Sequence, residues 1–289
     1  MTARAGAGAR TPARAHFEAE YSPLASDDPS LGSAAVLPWD EEIFGFAVGD
    51  YRPASRGELA SRTGLLSEAL ANWSQARRVE LVGCRVPASD TALTALLESV
   101  GFRMVELQLR ATLAPLRSEA AAPPRISVRT ADRSDRARIL EIASSALRMG
   151  RYHADPRFPR AAADHRYRLW MQRALAEGEG TWVAVAGPPG SVRGFLHAQI
   201  SGPAADIRLA AVDADAAGIA GPELFRGAVH ELSRRGVRRV TARMSAANCS
   251  VLNIYASLGF RFDEPESVLH WHSPDAPHLV SPDPGSPRP

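Results

Sequence analysis

The sequence predicts a mixed α/β fold in two parts, a smaller α/β domain followed by a larger one. Three observations carry this prediction. Short runs with the two-residue period of strands alternate with helical patterns along the chain. One predicted helix in each half ends at a Gly-Phe pair that leads into a strand, Gly101-Phe102 and Gly259-Phe260. A stretch rich in Pro and Ala, residues 116–125, separates the halves as a linker.

The composition is that of a soluble globular protein. A chain of 289 residues can form two domains with cores of their own. Its apolar fraction of 45% and charged fraction of 23% are ordinary. The formal net charge is only +2, and basic and acidic residues interleave, so we expect no nucleic-acid partner.

Targeting signals and cysteines suggest the compartment. The sequence has neither an apolar run long enough for a membrane helix nor the apolar core of a secretory signal. Cys84 and Cys249 fall in different predicted domains, which gives neither a disulfide framework nor a metal-ligand spacing. We therefore expect a cytoplasmic protein without a membrane partner or a metal, and leave monomer and homodimer open.

The smaller domain is predicted over residues 34–115. The Ala, Arg, Pro, Ser and Gly content of residues 1–33 predicts disorder. A dense aromatic and acidic stretch, residues 39–46, is interpreted as an anchor of the domain core. Helices are then predicted at residues 57–75 and 90–100, and strands at residues 79–86 and 104–113.

The larger domain is predicted over residues 126–273, before a Pro-rich tail, residues 274–289, that we expect to be loose. Its strands are predicted at residues 126–129, 182–186, 194–201, 207–212, 237–246 and 267–272. Its helices are predicted at residues 134–147, 160–177 and 221–235, and after Asn248. Residues 149–159 carry Asp-Pro and Phe-Pro pairs and are predicted to form a loop.

The most informative stretch joins a predicted strand to a predicted helix near the C-terminus. Asn248 can cap this helix with its side-chain oxygen, and Gly259 can end it in a left-handed conformation. The sequence from Asn248 to Phe260 fits N-x-x-A-x-x-x-Y-x-x-x-G-F, with Val251 in the Ala position and Tyr255 in the Tyr position. This pattern resembles the signature of the GNAT acyltransferase superfamily. The order of predicted elements in the larger domain is that of the GNAT fold.

Two further stretches resemble the family of TDP-fucosamine N-acetyltransferases, in which a small α/β domain precedes a catalytic GNAT domain. One is W-D-x-x-x-F-G-F at residues 39–46, and the other is R-Y-H-A-D-P-R-F-P at residues 151–159. This resemblance implies transfer of an acetyl or related acyl group to the amine of a nucleotide-linked amino sugar.

The GNAT resemblance implies that an amine attacks the thioester of acetyl-CoA or another acyl-CoA, with a small-molecule amine as acceptor. Tyr255 stands at the position of the general acid. A tyrosine hydroxyl with a pKa of about 10 can donate to a departing thiolate whose acid has a pKa of about 8.5. The alternative for Tyr255 is a packed aromatic residue. Asn248 matches a position that hydrogen-bonds pantetheine or a phosphate, and a simple helix cap is an equal alternative.

The same resemblance places the pantetheine arm between two parallel strands that part. The backbone of Leu209, Ala211 and Val212 is then its candidate binding surface. Asp213 and Asp215 come next along the chain and bring negative charge to the place where a pyrophosphate would bind.

The expected pyrophosphate loop departs from the family pattern [QR]-x-x-G-x-[GA]. Only Gly221 is kept, since Ala216 and Ile219 occupy the other two positions. Gly218 is one residue out of register, so a shifted loop would present the amides of Gly218, Ala220 and Gly221 to a phosphate. The alternatives are that an acyl carrier protein delivers the donor, as in natural-product biosynthesis, or that the fold is a non-catalytic binding subunit.

Five residues are candidates for binding the acceptor: Arg151, Tyr152, His153, Asp155 and Tyr167. An arginine with aromatic neighbours can hold a nucleotide phosphate and stack a base. Asp155, which precedes a proline, can instead initiate a turn, and Tyr167 can instead be a core residue.

The sequence does not single out a general base. His197 lies on a predicted strand, and Asp206 precedes the next one. A chain of water molecules is a third alternative, because an amine needs only a modest base at neutral pH.

Overall fold

The computed structural model of the chain describes residues 19–116, 125–176, 180–189 and 191–279. Within these residues the predicted mixed α/β fold is confirmed, and its strands form one twelve-stranded sheet. The strands are β1 (Ser22–Ala25), β2 (Asp28–Val36), β3 (Ala47–Arg52), β4 (Val79–Pro87), β5 (Arg103–Leu113), β6 (Val128–Thr130), β7 (Thr181–Ala186), β8 (Gly194–Ser201), β9 (Ala204–Val212), β10 (Arg239–Ser245), β11 (Arg261–Phe262) and β12 (Glu266–His272). The helices are α1 (Pro38–Phe44), α2 (Arg56–Leu59), α3 (Thr63–Arg77), α4 (Thr91–Ser99), α5 (Arg136–Ser145), α6 (Arg151–Ala154), α7 (Arg160–Ala174), α8 (Ala217–Arg234) and α9 (Cys249–Ser257). None of these helices is both long and apolar enough to cross a membrane.

The sheet has the order β1-β2-β3-β4-β12-β5-β10-β9-β8-β7-β6, and the short β11 pairs with β5 beside this path. Two neighbouring pairs are parallel, β3 with β4 and β9 with β10. A crossover helix joins each parallel pair, α3 in the first half and α8 in the second. Parallel pairs require such crossovers, which is why helical patterns interrupt the strand patterns of the sequence at these two places.

The two halves repeat one arrangement. Each contains an antiparallel run of strands, a parallel pair joined by a helix, and a second helix that ends at a glycine. The second helices have matching caps, since Asp90 accepts a hydrogen bond from the amide of Leu93 at 3.0 Å and Asn248 accepts one from the amide of Val251 at 3.2 Å. The glycines that follow, Gly101 and Gly259, have positive φ angles of 101° and 83°. This φ region favours glycine, and it lets the chain turn back into a strand.

The halves also exchange strands. The C-terminal strand β12 lies between β4 and β5 of the first half. Strand β5 extends past the first half and pairs with β10 and β11 of the second. The predicted domains, residues 34–115 and 126–273, therefore share one continuous sheet.

The hydrophobic cores follow the same division. One core packs α8 and α9 on the strands of the second half and includes Leu224, Phe225 and Phe260. Another packs α3 and α4 on the first half and includes residues of β12, among them Leu269 and Trp271. The exchange of β12 is thus held by buried apolar surface as well as by backbone hydrogen bonds.

Two segments predicted to be unstructured are ordered where the structure describes them. Residues 22–36 form β1 and β2, although residues 1–33 were predicted to be disordered. The reason is that Leu24 and Leu31 are buried in the core of the first half. Residues 1–18 lie outside the described residues. In the predicted loose tail, Leu279 is buried and belongs to a hydrophobic cluster that also contains Phe46 and Leu81. Most of the predicted linker, residues 117–124, also lies outside the described residues.

The helix predicted at residues 57–75 is split into α2 and α3. At two other places a helix forms despite residues that usually break one. Helix α8 begins at Ala217, four residues before the predicted start, because Gly218 and Gly221 do not interrupt it. The predicted loop of residues 149–159 contains the one-turn helix α6, which begins after Gly150. Both differences reflect tertiary packing that overrides local breaker signals.

Candidate active site

The parallel strands β9 and β10 part in the middle of the sheet. They pair from Ala204 and Arg239 to Ile207 and Ala242, and not beyond. Further along, β9 pairs only with β8 on its other side, and β10 pairs only with β5. The edge of β9 that faces the gap therefore carries backbone groups that the sheet does not use.

A cavity of about 560 Å³ occupies this gap. One part of its wall is largely apolar and comes from the second half: Ile207, Leu209, Phe225, Ala242, Val251 and Tyr255. Another part is polar and comes from the first half: Arg85, Glu106, Gln108 and Arg110. The cavity thus lies where the two halves meet.

Tyr255 projects from α9 into the apolar part of the wall. Its ring packs edge-on against Phe225, at a centroid distance of 5.2 Å, and against Phe260, at 4.6 Å. Burial raises the pKa of Tyr255 far above 10, and the Asp206 carboxylate adds to this effect. Tyr255 therefore keeps its proton at neutral pH and can act as a hydrogen-bond donor.

Asn248 serves as the cap of α9 and also borders the cavity. The two interpretations of this residue are therefore compatible. Leu209 lines the cavity as well. Ala211 and Val212 lie outside its lining, opposite Phe195 and Gly194 of β8, so they are not cavity residues in this structure.

The segment between β9 and α8 carries the charges that argued against a phosphate site. Arg138 donates a hydrogen bond of 2.6 Å to Asp213, which offsets the charge of that carboxylate, and Asp215 is exposed. Helix α8 follows from Ala217 without a side-chain cap at Ala216, so the first amides of the helix have no side-chain acceptor there.

The three residues predicted to present amides to a phosphate lie in the first turns of α8 and not in the cavity wall. Gly218 is exposed, and no atom lies within 4 Å of the position that a Cβ would take. At Gly221 a Cβ would make ordinary contacts, the nearest at 3.7 Å from Ile254. Ala220 is buried. The helix start remains an anion-compatible position next to the end of β9.

Arg151 and Tyr152 border the cavity, but both are engaged with the buried carboxylate of Asp40. The Tyr152 hydroxyl donates to Asp40 at 2.7 Å, Arg166 donates through Nε at 2.8 Å, and an Arg151 Nη2 lies 3.4 Å away. Burial opposes ionisation of Asp40, yet Arg166 and Arg151 hold its pKa below the ordinary value. Arg151 shares the Asp40 carboxylate with Arg166 and lines the cavity, and its predicted role as a phosphate ligand stays a prediction. Trp39 lies beside this cluster, with Arg166 over its ring.

His153 and Asp155 do not line the cavity, whereas Tyr167 does. His153 stacks on Tyr167 at a centroid distance of 5.6 Å. The Asp155 carboxylate accepts hydrogen bonds from His270 Nδ1 at 2.7 Å and His272 Nε2 at 2.8 Å. The predicted acceptor-binding role of His153 and Asp155 is thus not supported, because both hold the loop to its surroundings.

The Asp155, His270 and His272 side chains could also hold a metal ion, since their ligand atoms lie within 4.8 Å of one another. Burial lowers the pKa of His270 to about 4, and the hydrogen bonds from the two imidazoles hold the pKa of Asp155 below its ordinary range despite its burial. Each imidazole has one nitrogen within hydrogen-bonding distance of the Asp155 carboxylate, whereas the buried His270 Nε2 has no hydrogen-bond partner among the described residues.

The polar wall of the cavity was missed from the sequence. Glu106, Gln108 and Arg110 occupy alternate positions of β5 and so share one face of the strand. Polar residues at this spacing are also typical of a solvent-exposed face, so only the exchange of β5 between the halves reveals that they face a cavity. Arg85 reaches the same wall from β4.

The candidates for the general base differ in whether they reach the cavity. His197 does not line the cavity, and burial lowers its pKa to about 4. Asp206 borders the cavity, where it accepts a 2.8 Å hydrogen bond from Thr241 and pairs with Arg208 at 2.9 Å. Glu106 also borders the cavity and is 6% exposed.

Comparison with known proteins identifies the fold. No protein-family model matches the sequence, and no curated protein matches it. A GCN5-related N-acetyltransferase from Sphaerobacter thermophilus has a similar structure, with a TM-score of 0.61 and 19% identity over 84% of this chain and 76% of that chain. A GCN5-related N-acetyltransferase from Kribbella flavida gives a TM-score of 0.56 and 12% identity over 86% of this chain and 90% of that chain. A tandem GNAT protein from the clavulanic acid biosynthesis pathway gives a TM-score of 0.53 and 15% identity over 84% of this chain and 79% of that chain.

These similarities show that the chain has the GNAT fold, and its two-part arrangement is consistent with the tandem protein. None of the three is described as an amino-sugar acetyltransferase, so the finer resemblance to TDP-fucosamine N-acetyltransferases stays a prediction.

Proposed function

We propose that this protein is an N-acyltransferase that moves an acetyl or related acyl group from acyl-coenzyme A to the amine of a small acceptor. One observation carries the proposal: Tyr255 and Asn248 border a cavity at the point where the parallel strands β9 and β10 part. An open strand edge, a protonated tyrosine and a cavity are the parts that acyl transfer from a thioester needs.

The donor is expected to bind along β9. Pantetheine is an extended diamide, and it can pair with the strand edge beyond Ile207 as an added strand would. Its phosphates then lie towards the first turn of α8, where uncapped amides and the helix dipole favour negative charge. The ion pair of Asp213 with Arg138 removes most of the repulsion that Asp213 would exert.

The chemistry is a direct displacement. The neutral amine attacks the thioester carbonyl, a C–N bond forms, and the C–S bond breaks as the tetrahedral intermediate collapses. The departing sulfur takes a proton from the Tyr255 hydroxyl, the nitrogen gives up one proton to a base or to water, and exchange with solvent returns a proton to Tyr255. Burial keeps the Tyr255 hydroxyl protonated by raising its pKa. Its hydrogen bond to the sulfur strengthens as negative charge collects on the sulfur.

The test combines donor binding with product formation in the full chain. Acetyl-CoA at 100 times its Kd is expected to stabilise the fold by about 2.7 kcal/mol, visible as a higher melting temperature. Mass spectrometry should then detect acylated product when amines are added, and nucleotide-linked amino sugars are the first acceptors to include. If acetyl-CoA neither raises the melting temperature nor is consumed, the coenzyme A proposal is wrong.

Two outcomes would favour the rival functions. Transfer from an acyl carrier protein, in the absence of any reaction with acetyl-CoA, would make the carrier the donor and would place the protein in natural-product biosynthesis. Absence of transfer from either donor would favour a non-catalytic binding subunit. Because acyl-CoA is made and used in the cytoplasm, we also propose that location.

A further inference from the structure

The cavity wall supplied by the first half carries opposite charges side by side. Gln108 joins them, since its side-chain amide donates to Glu106 at 2.8 Å and its carbonyl accepts from Arg85 Nε at 3.3 Å. These two bonds fix which way the amide points, because the carboxylate only accepts and the guanidinium only donates. The three side chains form one connected polar row.

Glu106 has the environment of a site for a cation. Its side chain is buried, and it takes part in no ion pair within the described part of the chain. Its hydrogen-bond donors are neutral, the Gln108 amide and the Ser245 hydroxyl. A buried carboxylate that faces a cavity with only neutral donors still has lone pairs for a charged donor, and an ammonium group supplies one.

Arg85 has the environment of a site for an anion. Its ion pair with Asp50 is long, at 3.4 Å. Burial and the nearby charges of Arg151 and Arg243 lower the pKa of Arg85, with Asp50 opposing them. Among the described residues, six arginines and two carboxylates line the cavity. Three carboxylates outside the lining, Asp40, Asp50 and Glu266, pair with four of these arginines, and Asp40 is shared by two of them.

A pair of like charges lies beside this polar row. Arg110 and Arg243 are directly opposite each other on the antiparallel strands β5 and β10, so their side chains share a face. Like charges in this relation destabilise a sheet. Arg243 has a partial partner in Glu266 at 3.3 Å. An anion in the cavity would offset the remaining repulsion.

We propose that the acceptor is a zwitterion, an amine that carries a carboxylate or phosphate near its ammonium group, with the ammonium at Glu106 and the anion at Arg85. This inference rests on the proposed acyl transfer and names its substrate class. The two binding groups are separated by one glutamine amide and its two hydrogen bonds, so the two charges of the acceptor must belong to one compact molecule.

The same placement gives Glu106 a chemical step. The bound ammonium passes one proton to the Glu106 carboxylate, and the neutral amine then attacks the thioester. The second proton leaves after the C–N bond has formed, the Tyr255 proton goes to the sulfur, and solvent exchange restores both residues. The net products are an amide, a free thiol and one proton released to solvent.

The experiment compares matched amines with and without an anionic group, using acetyl-CoA and the full chain. β-Alanine is paired with propylamine, ethanolamine phosphate with ethanolamine, and glucosamine 6-phosphate with glucosamine, so the pairs separate carboxylate from phosphate. The anionic member is expected to have a kcat/KM about tenfold to a hundredfold higher, the usual effect of a charge-assisted contact. Arg85→Gln should collapse this ratio towards one, and Arg85→Lys should retain part of it.

Arg103→Gln is the control, because Arg103 lies on β5, the strand that carries Glu106 and Gln108, but is exposed and outside the cavity lining. This variant should keep the wild-type ratio. Equal kcat/KM values for both members of every pair, or a ratio that survives Arg85→Gln, would overturn the proposal. Faster transfer to propylamine from succinyl-CoA than from butyryl-CoA would also overturn the proposal, because the anion would then be recognised on the acyl donor and not on the acceptor. A protein that neither binds nor consumes acetyl-CoA would refute the proposed function itself.

Discussion

Arg166 of the second half donates a 2.8 Å hydrogen bond to Asp40 of the first half, 126 positions away in sequence. The Asp40 side chain is fully buried, and Arg151 and Tyr152 complete its surroundings. This contact therefore fastens the halves to each other next to the cavity.

Asp40→Ala is expected to destabilise the protein by about 3–5 kcal/mol, because it leaves Arg166 and Arg151 partly buried without a counter-charge. Urea unfolding measures the loss. Asp28→Ala is the control, since Asp28 pairs with Arg62 in an ion pair whose side chains are 28% and 40% exposed, so it should change stability less.

Loss of the Asp40 ion pairs should also weaken the fold's stability at low pH. The folded pKa of Asp40 is below its unfolded value, so its contribution is complete above pH of about 4 and is lost as the pH falls through the folded pKa. A loss of stability in Asp40→Ala as small as that in Asp28→Ala would contradict the stabilising role of Asp40.

Glu106→Gln should change the pH dependence of kcat/KM. Burial raises the pKa of Glu106, while the Gln108 and Ser245 hydrogen bonds and the charges of Arg151 and Arg85 oppose the rise. The ionised carboxylate is the form that accepts a proton, so wild-type activity should fall as the pH drops through this raised pKa. The variant should lose that limb of the profile.

Retention of the same limb in Glu106→Gln would assign the titration to another group. Asp206 is the matched alternative, as it also borders the cavity. Asp206→Asn is therefore measured in parallel, with the donor Kd recorded for both variants to separate binding from chemistry.

His270 should make the fold sensitive to mild acid. Burial lowers its folded pKa to about 4, below the unfolded value of about 6.5, so the unfolded chain takes up a proton first as the pH falls. The free energy of unfolding should therefore decline between pH of about 6.5 and 4. His270→Gln should flatten this decline, measured as a slope against pH.

His165→Gln is the control for that slope, since His165 is exposed. An unchanged slope in His270→Gln would show that other groups dominate the acid response. Because the slope is compared, and not the absolute stability, a general destabilisation by the substitution does not affect the conclusion.

The parts of the fold that could be predicted from sequence are those encoded locally. The cap at Asn248, the helix face with Tyr255 and the left-handed turn at Gly259 lie within thirteen consecutive residues, so their spacing alone indicated the motif. Strand periods likewise located most strands, including Gly194–Ser201 at its full length.

The parts that could not be predicted depend on contacts between distant residues. Glu106 and Arg85 become cavity residues only because β12 inserts between β4 and β5, while β5 pairs with β10. Asp155 meets His270 across 115 positions, which made a structural residue look like a candidate ligand for substrate. Residues 22–33 are poor in apolar residues, which predicted disorder. The segment is ordered because Leu24 and Leu31 both enter a core built by other elements.

The most direct test of the account is the rate of acyl transfer by Tyr255→Phe, measured as thiol release in parallel with the Kd of acetyl-CoA. The ring stays packed between Phe225 and Phe260, so the fold and donor binding should be preserved. Loss of the hydroxyl should lower kcat by about 10²–10⁴-fold with the donor Kd unchanged. Full activity in Tyr255→Phe, or a loss explained entirely by weaker donor binding, would contradict the assignment of Tyr255 as the group that protonates the departing thiolate.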